Sequence, residues 1–322
     1  MKYLVPALAF LISFGLTSIH ASAQYPTKPI RLIVAFPPGG PGDIVGRLIA
    51  QRLSDGLGQS VIVENRPGAG GTIGAESAAK SPADGYTILL GTTSTLAIAP
   101  SLYPSLGYDP VKSFAPISLV VNAQFLVVVH ASVPANSLRE LIDLAKSKPG
   151  QLNFGSSGNG NLVHIAGEMF KIAAGVDLVH IPYKGSAPAL TDLLSGRIQI
   201  LFDQPATFQP HFQTGKINAL AVAGPKRLPQ LPSVPTTVEA GLPGYEVSGW
   251  SGLVAPRGTP TDVVMRLNSE VQKALATREL QENLSKLGIE PYGSSPEQFS
   301  VLISSDGAKW SRAVKASGAK LD

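Results

Sequence analysis

The sequence predicts an α/β protein, in which helices cover the faces of a largely parallel sheet, and three observations carry that expectation. Apolar, β-branched runs alternate along the chain with segments whose apolar residues recur at helical spacing. The first run, Ile30-Arg31-Leu32-Ile33-Val34-Ala35-Phe36, passes through Pro37-Pro38-Gly39-Gly40-Pro41-Gly42-Asp43 straight into a helical pattern, the strand-turn-helix order of an α/β unit. With 322 residues, 44% of them hydrophobic, the chain is also long enough for two domains of ordinary size.

The elements follow in order. After a strand at 30–36, a helix beyond Asp43 carries Ile44, Val45, Leu48, Ile49 and Leu53 on one face and stops at Gly56 and Gly58. A strand at 60–64 and a helix at 72–80 come next, then strands at 86–90, 117–121 and 125–129. A helix at 137–146, a short strand at 152–154, a helix at 161–173, a strand at 178–181 and a helix at 187–194 continue the alternation, with strands at 198–202 and 217–222. Residues 224–244 place Pro225, Pro229, Pro232, Pro235 and Pro243 where neither ladder nor helix continues. That stretch is expected to be an irregular, exposed crossing between two lobes; its PxxP spacing as a ligand for a partner domain is a poor fit to an exported protein. Helices at 260–276, 278–287 and 296–317 close the chain, with Asp262, Val263, Leu267, Val271 and Leu275 setting the register of the first. No internal repeat is visible.

Residues 1–23 read as an export signal. Lys2 precedes an apolar run at 4–16, and Ala21-Ser22-Ala23 supplies a small-x-small cleavage site, while the run is short of the roughly 20 residues that span a bilayer. The mature chain is expected to start near Gln24 in an oxidising compartment, and with no cysteine it contains no disulfide, so burial has to stabilise it. Gly 33 and Pro 27 exceed average usage but fall short of a low-complexity chain. A formal charge of +4 without a basic cluster argues against a nucleic-acid-binding stripe.

The turn at 37–43 is the strongest candidate for chemistry. Gly39, Gly40 and Gly42 permit a tight turn and close backbone approach, and the helix start offers unpaired N–H groups and a positive dipole end to a carboxylate or phosphate. The same pattern fits a plain strand-to-helix turn with Asp43 capping its own helix. Gly155-Ser156-Ser157-Gly158-Asn159-Gly160-Asn161 reads as a second such device, with hydroxyls as added donors. Thr92, Thr93 and Ser94 follow a strand end, where α/β sheets bind ligands, although a solvated turn fits them too. Asp203 ends the strand at 198–202 and either points into that crevice or caps the helix after Pro205.

His164 falls opposite the face formed by Leu162, Ile165, Ala166, Met169 and Ala173, beside Glu168; an exposed His164–Glu168 pair and a cleft-edge role both fit. Gly155-Ser156-Ser157-Gly158 lacks the GxSxG form of a nucleophile elbow, and no histidine or acid is paired with it by motif. His130, His180 and His211 show no zinc spacing, so no metal site is expected. Gly68-Ala69-Gly70-Gly71-Thr72-Ile73-Gly74 looks superficially like a dinucleotide fingerprint, yet its third glycine is one residue late and it follows the second strand; it is expected to let the 72–80 helix pack closely on the sheet. Tyr183 and Trp250 suit either a cleft wall or core packing. Arg47 and Arg66 lie near the loops and either contribute to a site or pair locally.

Several long strings then combine. Phe36-Pro37-Pro38-Gly39-Gly40-Pro41-Gly42-Asp43, Val63-Glu64-Asn65-Arg66-Pro67-Gly68-Ala69-Gly70-Gly71-Thr72-Ile73-Gly74-Ala75-Glu76, Pro82-Ala83-Asp84-Gly85-Tyr86-Thr87, Asn153-Phe154-Gly155-Ser156-Ser157-Gly158-Asn159-Gly160, Pro182-Tyr183-Lys184-Gly185, Phe202-Asp203, Leu231-Pro232-Ser233-Val234-Pro235-Thr236 and Ala255-Pro256-Arg257-Gly258-Thr259-Pro260 occur in this order over essentially the whole mature chain. In these strings the chain resembles the periplasmic substrate-binding receptors of the tripartite tricarboxylate transporter family, also called Bug receptors.

The resemblance implies a two-lobed Venus-flytrap protein with mostly parallel sheets in each lobe. Residues 24–122 would begin lobe 1, 123–224 would form lobe 2, and 225–322 would cross over and return to lobe 1. It further implies a small organic acid (mono-, di- or tricarboxylate) in the cleft, one carboxylate held by the two glycine-rich loops and ordered water. Membrane permease subunits would be the partners of a monomeric, periplasmic receptor without cofactor, metal or catalytic residue. Residues and resemblance together give Phe36, Pro38, Gly39, Gly40, Asp43, Thr92, Ser94, Ser156, Ser157, Gly158, Asn159, Gly160, His164 and Asp203 as ligand-binding candidates. The rivals are an exported serine hydrolase using Ser156 or Ser157 with His164, and a receptor that clamps its carboxylate with Arg47 or Arg66.

Overall fold

The computed structural model describes residues 25–319; the expected export signal at 1–23 lies outside the described residues. In chain order the elements are β1 (Ile30–Val34), α1 (Pro41–Leu57), β2 (Val61–Asn65), α2 (Thr72–Ala79), β3 (Thr87–Thr92), α3 (Ala99–Leu102), β4 (Phe114–His130), α4 (Leu138–Ser147), β5 (Asn153–Ser156), α5 (Leu162–Ala174), β6 (Val179–Pro182), α6 (Ser186–Leu194), β7 (Ile200–Asp203), α7 (Pro205–Phe208), β8 (Ile217–Ala223), β9 (Ser248–Pro256), α8 (Thr261–Ala276), α9 (Arg278–Lys286), β10 (Glu290–Pro291) and α10 (Pro296–Ser317). A π-helical turn, Ser94–Ile98, leads from β3 into α3.

The strands lie in the order β2-β1-β3-β9-β4-β7-β5-β6, with β8 and β10 also paired to β4. Two parallel trios, β2-β1-β3 and β7-β5-β6, stand at the two ends. Between them β9 and β4 run antiparallel to each other and to the strands beside them. The α/β class therefore holds, each half containing a parallel trio whose strands feed helices.

Two features of the middle were not legible. The separate strands expected at 117–121 and 125–129 are one strand, β4, because Asn122, Ala123 and Gln124 pair with Trp250, Gly249 and Ser248 and carry the ladder across the polar interruption. Its first part pairs with β9 and its last part with β7 and β8, so one strand serves both halves. The partner β9 was missed altogether: Ser248-Gly249-Trp250-Ser251-Gly252 has little strand propensity and extends because β4 pairs along all of it and β3 adds a second ladder from Ser251 onward. Gly252 lies so close to its neighbours that a Cβ there would sit 2.8 Å from the Ser118 carbonyl oxygen.

Strand β1 shows why the first trio is central. Ile30, Leu32 and Val34 enter one core with Val45, Ile49 and Leu53 of α1 and Leu267 and Val271 of α8, while Ile33 joins a second core with Leu89 and Ala75. The alternation places apolar side chains on both faces, as a helix-covered parallel sheet requires. The second core continues through Trp310 and Phe299 of α10 into Phe154, Phe170 and Phe202 of the other half. The proline-rich stretch at 224–244 is irregular as expected, but it is not a uniformly exposed crossing. Leu228, Val234, Thr237 and Leu242 are buried, and the Thr237 hydroxyl donates to the Tyr245 carbonyl at 2.7 Å.

Gly74 confirms the packing role read for the 68–74 turn: a Cβ there would lie 2.6 Å from the Arg66 carbonyl oxygen and 2.9 Å from Ala35 Cα. Both are backbone atoms that cannot step aside. Gly74→Ala should therefore cost about 1–3 kcal/mol by overpacking despite alanine's better helix propensity. Urea denaturation checks this, and a variant as stable as wild type would show that α2 slides freely on β1.

Candidate functional site

The carboxyl ends of β1, β3, β5, β6 and β7 all open onto one cavity of about 720 Å³, part of it open to solvent. Phe36, Pro37, Pro38, Gly40 and Gly42 line it from β1, and Thr92, Thr93 and Ser94 from β3. Ser157, Leu162 and Val163 approach from β5, Gly185 to Pro188 from β6, and Asp203 and Gln204 from β7. Phe125, Gly249, Trp250 and Ser251 of the shared strands form the floor. Among the described residues no lysine, arginine or histidine lines this cavity.

Three helices of eight or more residues begin at its wall. Pro41 occupies the first position of α1, where no N–H is needed, behind Gly40 in an extended conformation. The amides of Gly40 and Gly42 have no protein acceptor among the described residues. Asp43 braces the turn from behind: one carboxylate oxygen accepts from the Gly39 amide and Arg47 Nε, each at 3.0 Å, and the other from Asn65 Nδ2 at 2.9 Å. Asn65 also donates to the Phe36 carbonyl at 3.0 Å. Burial pushes the Asp43 carboxyl upward, but the bonds from Arg47, Gly39 and Asn65 outweigh it and hold it below the ordinary carboxylate range.

At α5, Asn161 caps the helix by accepting from the His164 amide at 3.1 Å, and the Leu162 amide donates to Ser94 Oγ across the cavity at 3.0 Å. Ser157 faces the cavity, but Ser156 is fully buried. Its hydroxyl lies 2.6 Å from His180 Nε2 and 3.0 Å from the Gly158 carbonyl oxygen, and it accepts from the Gly158 amide at 3.2 Å. The His180 ring stacks on Phe154 with centroids 4.9 Å apart and on His164 at 4.0 Å. Burial, with His164 and Lys171 nearby, pushes the His180 pKa down to about 3, so the ring is uncharged at neutral pH.

The exposed His164–Glu168 pair is overturned. His164 is 5% exposed, its Nδ1 accepts from the Gly160 amide at 3.2 Å, and Glu168 pairs with Lys171 at 3.0 Å. Every residue from Leu162 to Gly167 is buried, because α5 packs against the sheet on one side and α10 on another, so its helical period does not separate a wet face from a dry one.

The third helix, α6, was not read as part of a site. Gly185 sits at φ 121° and the chain enters α6 at Ser186, whose hydroxyl donates to Asp203 Oδ2 at 2.7 Å. The Gln204 amide donates to Asp203 Oδ1 at 2.7 Å. Asp203 lines the cavity and is 2% exposed; burial raises its pKa to about 6 against the bonds from Ser186 and Gln204. The sequence did contain a signal, since Gly185-Ser186 after a short strand repeats the glycine, hydroxyl and helix start of the other two loops.

A second cavity of about 1220 Å³ adjoins the first and shares Phe36, Pro37, Ser157 and Gly185 with it. Gly158 and Asn159 line it, with Tyr103, Tyr183, Lys184 and the turn at 67–71. Of the candidates, Phe36, Pro38, Gly40, Thr92, Ser94, Ser157 and Asp203 thus meet in the inner cavity, and Gly158 and Asn159 in the outer one. Gly39, Asp43, Ser156, Gly160 and His164 line neither and act on the loops from behind. Arg47 pairs with Asp43 and Asn65, and Arg66 with Glu64 and Ser77, so both arginines are engaged locally. Among the described residues no group of three or more histidines or acids could hold a metal ion.

Two outcomes follow. Ser156→Ala removes the buried hydroxyl beside the half-buried His180 ring and should cost about 1–3 kcal/mol of stability in chemical denaturation; an unchanged midpoint would mean that the ring finds its partner elsewhere. Asp203 is easier to protonate when folded, with a pKa near 6 against the ordinary 3.8. Its contribution to stability is therefore intact below the ordinary value and lost as pH rises through 6. The stability of wild type relative to Asp203→Asn should fall by on the order of 3 kcal/mol between pH 4 and pH 7.5. A pH-independent difference would show that Asp203 ionises as it does in water.

Residues 45–319 match the family model for the tripartite tricarboxylate transporter family receptor. BugT of Bordetella pertussis is 36% identical over 97% of this chain and 96% of its own. Rpa4515 of R. palustris, solved with adipate, superposes with a TM-score of 0.89 at 40% identity, over 92% of this chain and 100% of that one. MatC from Rhodopseudomonas palustris, solved with bound malate, gives a TM-score of 0.86 at 33% identity, over 90% and 100% of the two chains. With its glycine-rich loops set around one interior cleft, the chain belongs to the tripartite tricarboxylate transporter receptor family.

Proposed function

We propose that this protein is a periplasmic receptor that captures a small organic carboxylate between two lobes and delivers it to the membrane subunits of a tripartite tricarboxylate-type transporter. The lobes are residues 24–122 with 225–322, and 123–224; the first 23 residues are a cleaved export signal. The observation that carries this reading is the convergence of the amino ends of α1, α5 and α6 on a single cavity without a basic side chain. Aligned peptide dipoles and unpaired amides favour an anion there, and a lining without lysine, arginine or histidine lets it be released. The adipate and malate held by Rpa4515 and MatC support a carboxylate as the chemical class.

Binding is reversible and no bond is made or broken. An anion touching loops of both halves stabilises the closed arrangement by the difference between its affinities for the closed and open forms, and closure presents a combined surface to the permease. No cofactor, metal or nucleic acid takes part, and the receptor acts as a monomer. No helix among the described residues is long and apolar enough to cross a membrane.

A serine hydrolase has one observation in its favour, the 2.6 Å approach of Ser156 Oγ to His180 Nε2. Ser156 is fully buried behind its loop, however, and its hydroxyl is shared with the Gly158 backbone. A thermal-shift screen of the mature protein with adipate, malate and other small organic acids separates the readings. An acid at 100 times its dissociation constant should add about 2.7 kcal/mol of stability and be recovered unchanged. Covalent labelling by a serine-reactive phosphonate, or stabilisation by no acid, would overturn the receptor.

A further inference from the structure

Among the contacts that join the two halves around the cavity, three are made between turns that face one another across it. Ser94 receives the Leu162 amide at 3.0 Å, and the other two involve missing side chains. Gly70, at φ 63°, lies so close to the loop opposite that a Cβ would sit 3.2 Å from the Asn159 carbonyl oxygen and 3.5 Å from the Gly160 carbonyl carbon. It would also meet the Tyr103 hydroxyl at 2.8 Å. Gly185, on the other half, leaves only 3.1 Å between its would-be Cβ and Pro37 Cγ. Backbone atoms and a proline ring make up most of these opposing surfaces, and they cannot rotate away as a long side chain does.

We infer that Gly70 and Gly185 set the closed angle of the receptor: their bare backbones are the surfaces on which the two halves stop, and a side chain at either position wedges the halves apart. Neither residue needs to discriminate between acids. Each acts on affinity by fixing how near the loop after β1 and the loop after β5 come to one another around the bound carboxylate. Gly70 also lines the outer cavity, so the same turn limits the space above the inner one. The inference rests on the proposed interlobe binding, but its geometric part is measurable without any acid.

Left-handed backbone strain has to be separated from the wedge, and the molecule supplies the control. Gly58 has φ 67°, close to that of Gly70, with nothing within 4 Å of its would-be Cβ. Asparagine tolerates this conformation and adds atoms beyond Cβ. The chain has no cysteine, so Gln51→Cys on α1 and Lys148→Cys just after α4, both exposed, accept spin labels on opposite halves without competing sites. Double electron–electron resonance on the full mature protein then reads the distance between the halves with and without 10 mM adipate.

The expected result is a short-distance component in wild type that persists in Gly58→Asn and disappears in Gly70→Asn, with adipate affinity at least ten-fold weaker in the last. Gly185→Ala, a smaller wedge from the opposite side, should shift the short component outward and serves if Gly70→Asn does not fold. A short component unmoved in Gly70→Asn or Gly185→Ala overturns the inference, as does its absence from wild type under both conditions. If the distances respond as expected while no acid binds any form, the closure geometry stands and the carboxylate reading fails.

Discussion

Everything at the candidate site depends on one constraint: strand β4 belongs to both halves of the molecule. Because its first part pairs with β9 and its last part with β7 and β8, the two parallel trios are carried on a common antiparallel spine. Each trio sends its strands toward the cleft and its helices away from it, so the carboxyl ends of five strands and the amino ends of three longer helices meet in one place. A sheet broken at Asn122 would give two unrelated α/β units. The continuous ladder turns them into opposed jaws.

Electrostatics at the cleft follows from that placement. An α-helix leaves its first amides unpaired, and their partial charge is strongest where solvent is scarce. The protein sets three such ends around the cavity and, among the described residues, keeps lysine, arginine and histidine out of its lining; Arg47, beside the first loop, is spent on Asp43 and Asn65. Asp43 in turn shapes the first loop by accepting the Gly39 amide. The second loop is braced in a different chemical dialect, with Ser156 and the Gly160 amide held against two stacked imidazoles. In both loops the polar side chains hold the backbone in place, and the backbone is left to meet the ligand.

Asp203 is the exception, an acidic group inside an anion-favouring cavity. Its two oxygens are occupied by Ser186 and the Gln204 amide, and burial eases its protonation. A proton taken up there removes the repulsion that a bound carboxylate would otherwise meet, and ties the state of α6 to the end of β7. The jaws themselves are not independently cored, since the apolar cluster around Phe154 and Phe202 runs on through α10 to Ile33 and Leu89. This shared packing joins the halves behind the cleft, while at its rim glycine, proline and serine meet across it.

By itself the sequence determined the alternation of strands and helices, both glycine-rich turns that open helices and the local pairing open to Arg47 and Arg66, because these depend on near neighbours: period, turn residues and helix starts. It also pointed to close packing of the 72–80 helix on the sheet at the 68–74 turn, which Gly74 realises. Tertiary structure alone decided that Ser248-Gly249-Trp250-Ser251-Gly252 is part of a central strand, since β4 supplies its ladder from a distant part of the chain and β3 flanks it from Ser251 onward. It decided too that His164 lies behind its loop and not in the cavity, because the first turns of α5 are buried against both the sheet and α10 and a periodicity count cannot see a second buried face. The close approach of the bare backbones at Gly70 and Gly185 to Asn159 and Pro37 emerges only when segments more than eighty residues apart are brought together, a proximity that no local pattern encodes.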